Sequence, residues 1–588
     1  MTIIDSPGGS STYDLLKGER GRKPVTIAEL VLDYCGNEFG VSPCTASGAD
    51  KCYNTFKSCQ DQANYTASTK TYTFIDKLAN LPAGITAFPA LEKIQVAPTK
   101  IQPNGIGQRA SVTVTFRDFP HHDRGVDPYI SDRTYDANTQ GSFFGKLKAR
   151  NPFYVNRKLI IRTGYIYEGN FDTTFEQDFE ERVYFIDRIE TANANGQVKI
   201  IAKDILKLAD ATRAKAPVLS DGELNADITD AATSLVLASG YTTDYGTSGT
   251  IRINGEILSY TGKSTDTLTG LTRGLYNTVA AAHTAADSVQ VCLLYTAQKP
   301  SDILEDLLTT YASIDPAYIP SAEWEAENDD KLASNNMTAV ITTPTGVKNL
   351  VEEVLSSAMS YMWWDEVVQE IKFKVSFPAG ITTPQSINDD VNIINDSMGV
   401  KDEEKSRISE VIVRYGQFDP VEENKDENFS NVYAQIDTDA EGANEYGIKS
   451  TLEINSRWIT TSGAALEIAG RTLNLFATTP RRISFSLDAK DSLIRTGDVI
   501  TVSSRGIQDT DGAQLALKFL ITKRLEKIQG TTYTYEGLEF GLGSKIGDIG
   551  ANTLLDYTAE SEANQADYIF ISDDLGFMSN GDDGYKIA

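Results

Sequence analysis

The chain has 588 residues, a length that divides into about three to five domains. Its hydrophobic content of 40% allows sizeable cores, and its net charge of −28 gives a surface that repels duplex DNA and RNA. That charge fits a soluble protein or a protein-only assembly. No run of 18 apolar residues occurs, so no membrane span is predicted. The first residues, MTIIDSPGGSSTYDLLKGERGRKP, lack the apolar stretch of a secretory signal.

Residues 1–24 read as an extended arm, Gly/Ser-rich, then basic, ending at Pro24. Residues 25–95 form a unit around a cysteine cluster. Its opening, VTIAELVLDYCG, reads as a strand or short helix. Four of the five cysteines, Cys35, Cys44, Cys52 and Cys59, fall within 25 residues in the spacing C-x8-C-x7-C-x6-C. Four thiols in a loop-rich segment form a ligand set or two disulfides. An iron–sulfur centre uses four thiolates. A structural zinc site also does, but it favours tight C-x2-4-C pairs, which are missing here. Disulfides require an oxidising compartment. All three readings stand on spacing alone. Cys292, in SVQVCLLY, reads as a buried small hydrophobe.

From residue 96 the hydrophobic period becomes two. SVTVTFRDF (111–119), RKLIIRTGYIY (157–167) and ERVYFIDRIET (181–191) read as strands, and after an NANG turn QVKIIAKDILKLAD (197–210) reads as strand then short helix. Residues 96–216 are therefore expected to form an antiparallel β-barrel or sandwich. His121 and His122 in FPHHDRG read as a polar turn, with a metal site as the alternative. Residues 217–297 read as a small inserted β domain, with Asn254-Gly255 as a hairpin turn between TIRI and EILSY.

Residues 298–400 mix helix and strand. PSDILEDLLTTYA is amphipathic, with Ser301 as the expected N-cap, and VKNLVEEVLSSAMSYMWWD reads as a second amphipathic helix handing over at Trp363 and Trp364 to the strand QEIKFKVSF. Residues 401–545 return to strands around a helix at 462–478. RTGD (495–498) is expected as a hairpin turn, and LKFLITKRLEKIQGTTYTYEGLEF as a closing hairpin. Residues 546–588 are acidic and rich in Asp, Asn and Gly, and read as an extended tail ordered by a partner. The fold class expected is thus multidomain, mainly β with one α+β unit.

No motif for a nucleophile elbow, a phosphate-binding loop or an H-E-x-x-H zinc site is present. Carboxylate pairs such as Glu403-Glu404 and Glu422-Glu423 read as solvated surface. The chain is expected not to be an enzyme.

The segment ending KCYNTFKSCQDQANY resembles the four-cysteine module of lambda-type minor tail protein L. IQPNGIGQRASVTVTFRDF, KLIIRTGYI and VYFIDRIETANANGQVKIIAKDILKL are similar to β domains of tail-tip or baseplate hub proteins of long-tailed, siphovirus-like bacteriophages. PSDILEDLLTTYASIDPAYI with PTGVKNLVEEVLSSAMSYMWWDE resembles their α+β hub domain, and NGEILSYTGKSTDTLTGLTRGLYNT a small β domain recurrent in phage tail proteins. Together these cover most of residues 25–545. One departure is that the cysteine module is joined to the hub and precedes it, instead of lying at the end of a separate small protein.

The resemblance implies a structural virion protein of the tail tip or baseplate, assembled in the host cytoplasm. It implies a homotrimeric hub that closes the tail tube and contacts the distal tail protein, the tape-measure protein and other tip proteins. It also implies an iron–sulfur cluster, [4Fe–4S], on Cys35, Cys44, Cys52 and Cys59. No specific nucleic-acid binding is implied. An acidic lumen would not trap DNA passing through. The alternatives are a tail-associated cell-wall hydrolase and a host-glycan-binding tail protein, the latter through Tyr241, Tyr245, Tyr260 and Tyr276 of the inserted domain.

Overall fold

The computed structural model describes residues 12–76, 86–136, 139–166, 179–210, 212–333, 335–377, 385–442 and 446–541, together with two-residue strands at Phe570–Ile571 and Tyr585–Lys586. The expected acidic tail, 546–588, lies outside the described residues apart from those two strands, as do residues 1–11 of the arm. The described part of the arm is not extended throughout. Thr12–Gly18 is a short helix, α1, which buries Tyr13 and Lys17.

The first unit is an eight-stranded sheet: β1 (Pro24–Cys35), β2 (Ala67–Ile75), β3 (Ala87–Phe88), β4 (Leu91–Ala97), β5 (Ser111–Arg117), β6 (Lys158–Tyr165), β7 (Phe179–Ile189) and β8 (Gln197–Lys203). The spatial order is β3-β2-β1-β6-β7-β8-β5-β4. Alternation explains the strands. In β5, Val112, Val114 and Phe116 point inward and are fully buried, with smaller polar residues between them. β1 is apolar nearly throughout because both its faces are covered: Ala28, Leu30 and Leu32 enter the main core, while Val25 and Ile27 pack with Ile75 and Phe179. Helix α2 (Phe143–Arg150), capped by Ser142, places Phe143 and Phe144 against Phe74 in that core.

Two expectations change here. The segments 25–95 and 96–216 share this one sheet, so the cysteine segment is the loop 36–66 between β1 and β2, which pair from Ile27↔Ile75 to Cys35↔Ala67. Among the described residues no sheet closes into a barrel. β3 and β4 are the two edges of the first sheet and do not pair, although only two residues separate them in the chain.

The inserted unit contains β10 (Ser234–Val236), β11 (Gly249–Ile253), β12 (Glu256–Tyr260), β13 (Gly262–Ser264), β14 (Thr267–Thr269) and β15 (Val289–Val291), in sheets ordered β10-β14-β13 and β12-β11-β15. β9 (Lys215–Ala216), just before it, pairs with β18 (Thr345–Gly346). β16 (Leu293–Gln298), just after it, pairs with β17 (Met337–Ile341). Both ends of the insertion therefore plug into the α+β unit. Asn254 takes φ +51° in the two-residue turn of the β11–β12 hairpin.

The α+β unit holds α3 (Pro300–Asp306), α4 (Ser321–Lys331), α5 (Val347–Ser357) and the hairpin β19 (Ser360–Asp365)–β20 (Glu370–Val375). Lys299 rather than Ser301 is the N-cap of α3, because Pro300 occupies the first helical position and Ser301 is buried within the helix. α5 ends at Ser357, earlier than expected. Met359 takes φ +45°, and SYMWWD continues as a strand, consistent with its aromatic content. Trp364 is fully buried and donates its indole N–H to the Val183 carbonyl at 3.0 Å.

The last unit is a six-stranded sheet of β21 (Gln385–Asn388), β22 (Gly399–Asp402), β26 (Arg481–Asp488), β27 (Val499–Gln508), β28 (Gln514–Ile528) and β29 (Thr532–Glu539), ordered β21-β27-β28-β29-β26-β22. β23 (Glu410–Gln417), β24 (Phe429–Ile436) and β25 (Thr451–Asn455) form a smaller sheet under α6 (Ser462–Phe476). The boundary expected at 400/401 falls inside the large sheet, which the chain enters by residue 385. The turn at 495–498 does not make a hairpin. β26 pairs with β22 and β29, and β27 with β21 and β28.

Candidate cysteine centre

Cys35 is the last residue of β1 and is buried. Cys44 follows a turn closed by its own N–H to the Val41 carbonyl. Cys52 is buried beside Phe39 and Tyr129, and Cys59 ends a one-turn 3-10 helix, Phe56–Ser58. Asn54 ties the strands of the loop together. Its carbonyl accepts the Cys35 N–H at 2.7 Å, and its side-chain amide donates to the carbonyls of Cys35 and Asn37. It takes φ +54°, a region asparagine tolerates better than most residues. Asp61 holds the far side by accepting from the backbone and hydroxyl of Thr45 and from the Asn64 amide.

The Cys52 thiol is pushed up chiefly by burial and then by the charges of Cys59, Cys35 and Cys44, against a backbone hydrogen bond from Asn54. Cys59 is likewise raised, first by burial and then by Cys35 and Cys44, with a backbone hydrogen bond from Asp61 opposing. The Cys52 thiol lies 3.5 Å from the Asn54 side-chain oxygen, to which it donates.

All five cysteines are free thiols. Among the described residues no group of three or more His, Cys, Asp or Glu side chains is close enough to hold a single metal ion. Four thiolates bonded to one zinc at about 2.3 Å would lie within roughly 4 Å of one another. The thiols here share electrostatic range without that compact arrangement. A polynuclear cluster spaces its sulfurs further apart, since each thiolate binds a different iron. Four free thiols on one loop are the donor set such a group takes.

The loop is fastened to the connection between β5 and α2. Tyr129 accepts the Phe39 N–H through its hydroxyl at 2.7 Å, Lys51 pairs with Asp132 at 2.9 Å, and Arg133 donates to the carbonyls of Lys51 and Cys52 at 2.9 Å. Cys292 lies apart, buried with Ile257 and Val340, its thiol pushed up to about 12 by burial.

The other candidates resolve into structure. His121 accepts the Asp123 N–H in the turn after Pro120 and packs against Phe88 and Phe143. His283 contacts Glu256 at 2.7 Å inside the inserted unit, where Glu256 also accepts from Nε and Nη2 of Arg273 and from the N–H groups of Gly274 and Ala281. Of the four tyrosines considered for glycan binding, Tyr245 and Tyr260 are core residues, and only Tyr241 and Tyr276 are exposed. Glu403 pairs with Arg482 and Lys401, and Glu423 with Lys425, as surface ion pairs.

Sequence reasoning missed one polar centre. Glu180, Arg182, Arg524 and Glu526 form a largely buried ionic network beside a cavity of about 40 Å³ that is also lined by Glu366. Charges at alternate positions of a strand, Glu180/Arg182 and Arg524/Glu526, are the signal that could have disclosed it. No helix among the described residues is long and apolar enough to cross a membrane.

No protein-family model matches the chain, and no curated protein sequence matches it. Several solved structures show likeness, three of them as follows. The 43 kDa tail protein of prophage MuSo2 from Shewanella oneidensis is 9% identical with a TM-score of 0.32, over 76% of this chain and 98% of that one. Prophage tail protein gp18 from Listeria monocytogenes is 12% identical with a TM-score of 0.30, over 65% and 84%. A type VI secretion component of E. coli, described as similar to the T4 tail proteins gp27 and gp5, is 8% identical with a TM-score of 0.31, over 79% and 82%. These scores lie below the level at which two chains share one fold throughout, so function is argued from the residues themselves.

Proposed function

We propose that this chain is a structural virion protein, a hub subunit of a bacteriophage tail tip or baseplate, whose cysteine loop is held by an iron–sulfur cluster on Cys35, Cys44, Cys52 and Cys59. The observation that carries the reading is the placement of the four thiols. A loop with little core of its own is rooted in the first β sheet and carries all four thiols free. A bound cluster would supply cross-links to that loop in place of a hydrophobic core. This reading takes the chain as a sheet with the cysteine loop, an inserted β unit, an α+β unit and a second β unit, in that order. In this reading three copies form the hub, which closes the tube and meets the distal tail protein, the tape-measure protein and other tip proteins.

The test is anaerobic purification with absorption spectroscopy and iron and sulfide analysis, beside a Cys52→Ser variant. A brown protein with about four irons and four sulfides per chain, lost in the variant, supports the cluster. A colourless protein, or one holding zinc, overturns it. Sedimentation of the same sample reads the threefold assembly separately.

A further inference from the structure

The tyrosine next to Cys52 is gripped on both faces. The Arg133 guanidinium lies 4.0 Å from the Tyr53 ring centroid and the Arg150 guanidinium 3.9 Å. Each arginine is held in turn by a carboxylate of one short turn: Arg133 by Asp127, whose side chain is fully buried, and Arg150 by Asp123 at 2.7 Å. That turn is closed by the N–H groups of Val126 and Asp127, both donating to the Asp123 carbonyl. A continuous stack results: carboxylate, guanidinium, ring, guanidinium, carboxylate. Arg133 also binds the Cys52 carbonyl, and the Tyr53 N–H donates to Ser58, next to Cys59. Two of the four thiols thus flank the segment that carries the ring.

We infer that Tyr53 is a positioning residue that couples the state of the four thiols to the 118–133 segment of the first unit, so that releasing the thiols from their bound group loosens that segment as well as the loop. The inference rests on the proposed reading that the thiols hold a group. The physical link is that cations over a ring attract only while the ring stays centred between them. The ring's position is set by a loop that the bound thiols would brace. Without that brace, Arg133 loses both the ring and the Cys52 carbonyl, and the 123–127 turn keeps its two arginines without the element they clasp.

The test is hydrogen–deuterium exchange of the full-length protein, read on peptides covering 36–66 and 118–133. It is measured before and after anaerobic iron chelation for wild type, Tyr53→Leu and Tyr53→Phe. Wild-type exchange is expected to rise in both regions, by roughly tenfold at 118–133, as befits loss of a contact of cation–ring strength. Tyr53→Leu should retain its iron yet show the faster 118–133 exchange before chelation and no further response. Tyr53→Phe, which keeps the ring, should respond as wild type. A wild-type 118–133 segment that stays protected while 36–66 opens overturns the inference, as does a Tyr53→Leu protein that responds like wild type. Iron content is read separately. If the purified protein carries none, the cluster reading fails, and alkylation of the thiols with iodoacetamide replaces chelation as the perturbation, with the same two outcomes deciding the coupling.

Discussion

Arg182 of β7 donates to Glu526 of β28 at 2.6 Å, joining the first sheet to the last with both side chains at least nine-tenths out of water. Arg182 also holds Glu180, which Arg524 approaches at 3.4 Å, and buried Lys17 of α1 lies beside them. Removing one partner of a buried pair leaves an uncompensated charge. Arg182→Met is therefore expected to destabilise the protein by about 3–5 kcal/mol. The combination Arg182→Met with Glu526→Gln, which leaves Glu180 paired with Arg524, should recover much of that loss. Denaturant unfolding of the single and combined variants measures the difference, and a single variant as stable as wild type would refute the keystone role.

Two carboxyls set an opposite pH dependence from the usual one. Burial pushes Asp204, 1% exposed, up to about 7, although Arg109 and the backbone at Ala110 favour its ionised form. Burial likewise raises Glu366 to about 7, with Asp365 adding to the effect. A raised carboxyl binds its proton more tightly in the folded state, so the stability it contributes is fully present below the unfolded pKa of about 4. It is lost as pH rises through about 7. Thermal midpoints are expected to fall between pH 5 and 8 from these two groups, and Asp204→Asn should flatten that fall. An unchanged pH slope in the variant would count against the buried protonated carboxyl.

In the inserted unit the sign reverses. The Arg273 guanidinium, the Ala281 N–H and His283 hold Glu256 down to about 2 against burial. Its contribution is present above its unfolded pKa and lost as pH falls through about 2. Glu256→Gln leaves Arg273 without its carboxylate, and the loop from Gly274 to His283 without its common anchor. The expected result is a loss of about 3–5 kcal/mol confined to this unit. Limited proteolysis should then cut within 217–292 while the sheets on either side stay resistant.

Strands whose apolar residues alternate were legible in the sequence. Val112, Val114 and Phe116 marked β5, and Asn254-Gly255 marked the β11–β12 hairpin. The insertion was legible too, because turn residues and short strands set 217–297 apart from its surroundings. Long-range pairing was not. Nothing local to Cys35 or Ala67 states that β1 and β2 are neighbours in the sheet that also holds β5, so the cysteine loop read as a unit of its own. The end of α5 was missed because SSAMSYMWWD keeps a helical apolar spacing, and the break lies in the backbone at Met359, not in the pattern. The cysteines themselves were plain from spacing. Their anchors Tyr129, Arg133 and Arg150 were not, since they lie about eighty to a hundred residues away.

The cysteine set makes the last prediction, which separates a cofactor site from four incidental thiols. Each of Cys35→Ser, Cys44→Ser, Cys52→Ser and Cys59→Ser is expected to lose most of the bound iron, because a serine hydroxyl is a far weaker ligand than thiolate for iron–sulfur chemistry. Cys292→Ser is expected to keep it, since Cys292 packs with Ile257 and Val340 away from the loop. The loop variants should also lose protection in 36–66, where few apolar contacts exist to replace the cross-links. The Cys292 variant should show only a small packing penalty of about 1 kcal/mol or somewhat more. Iron analysis and exchange measurements on the five variants decide the matter. Equal iron in all five would remove the ligand role from the loop, and loss in Cys292→Ser alone would move it to the inserted unit's boundary.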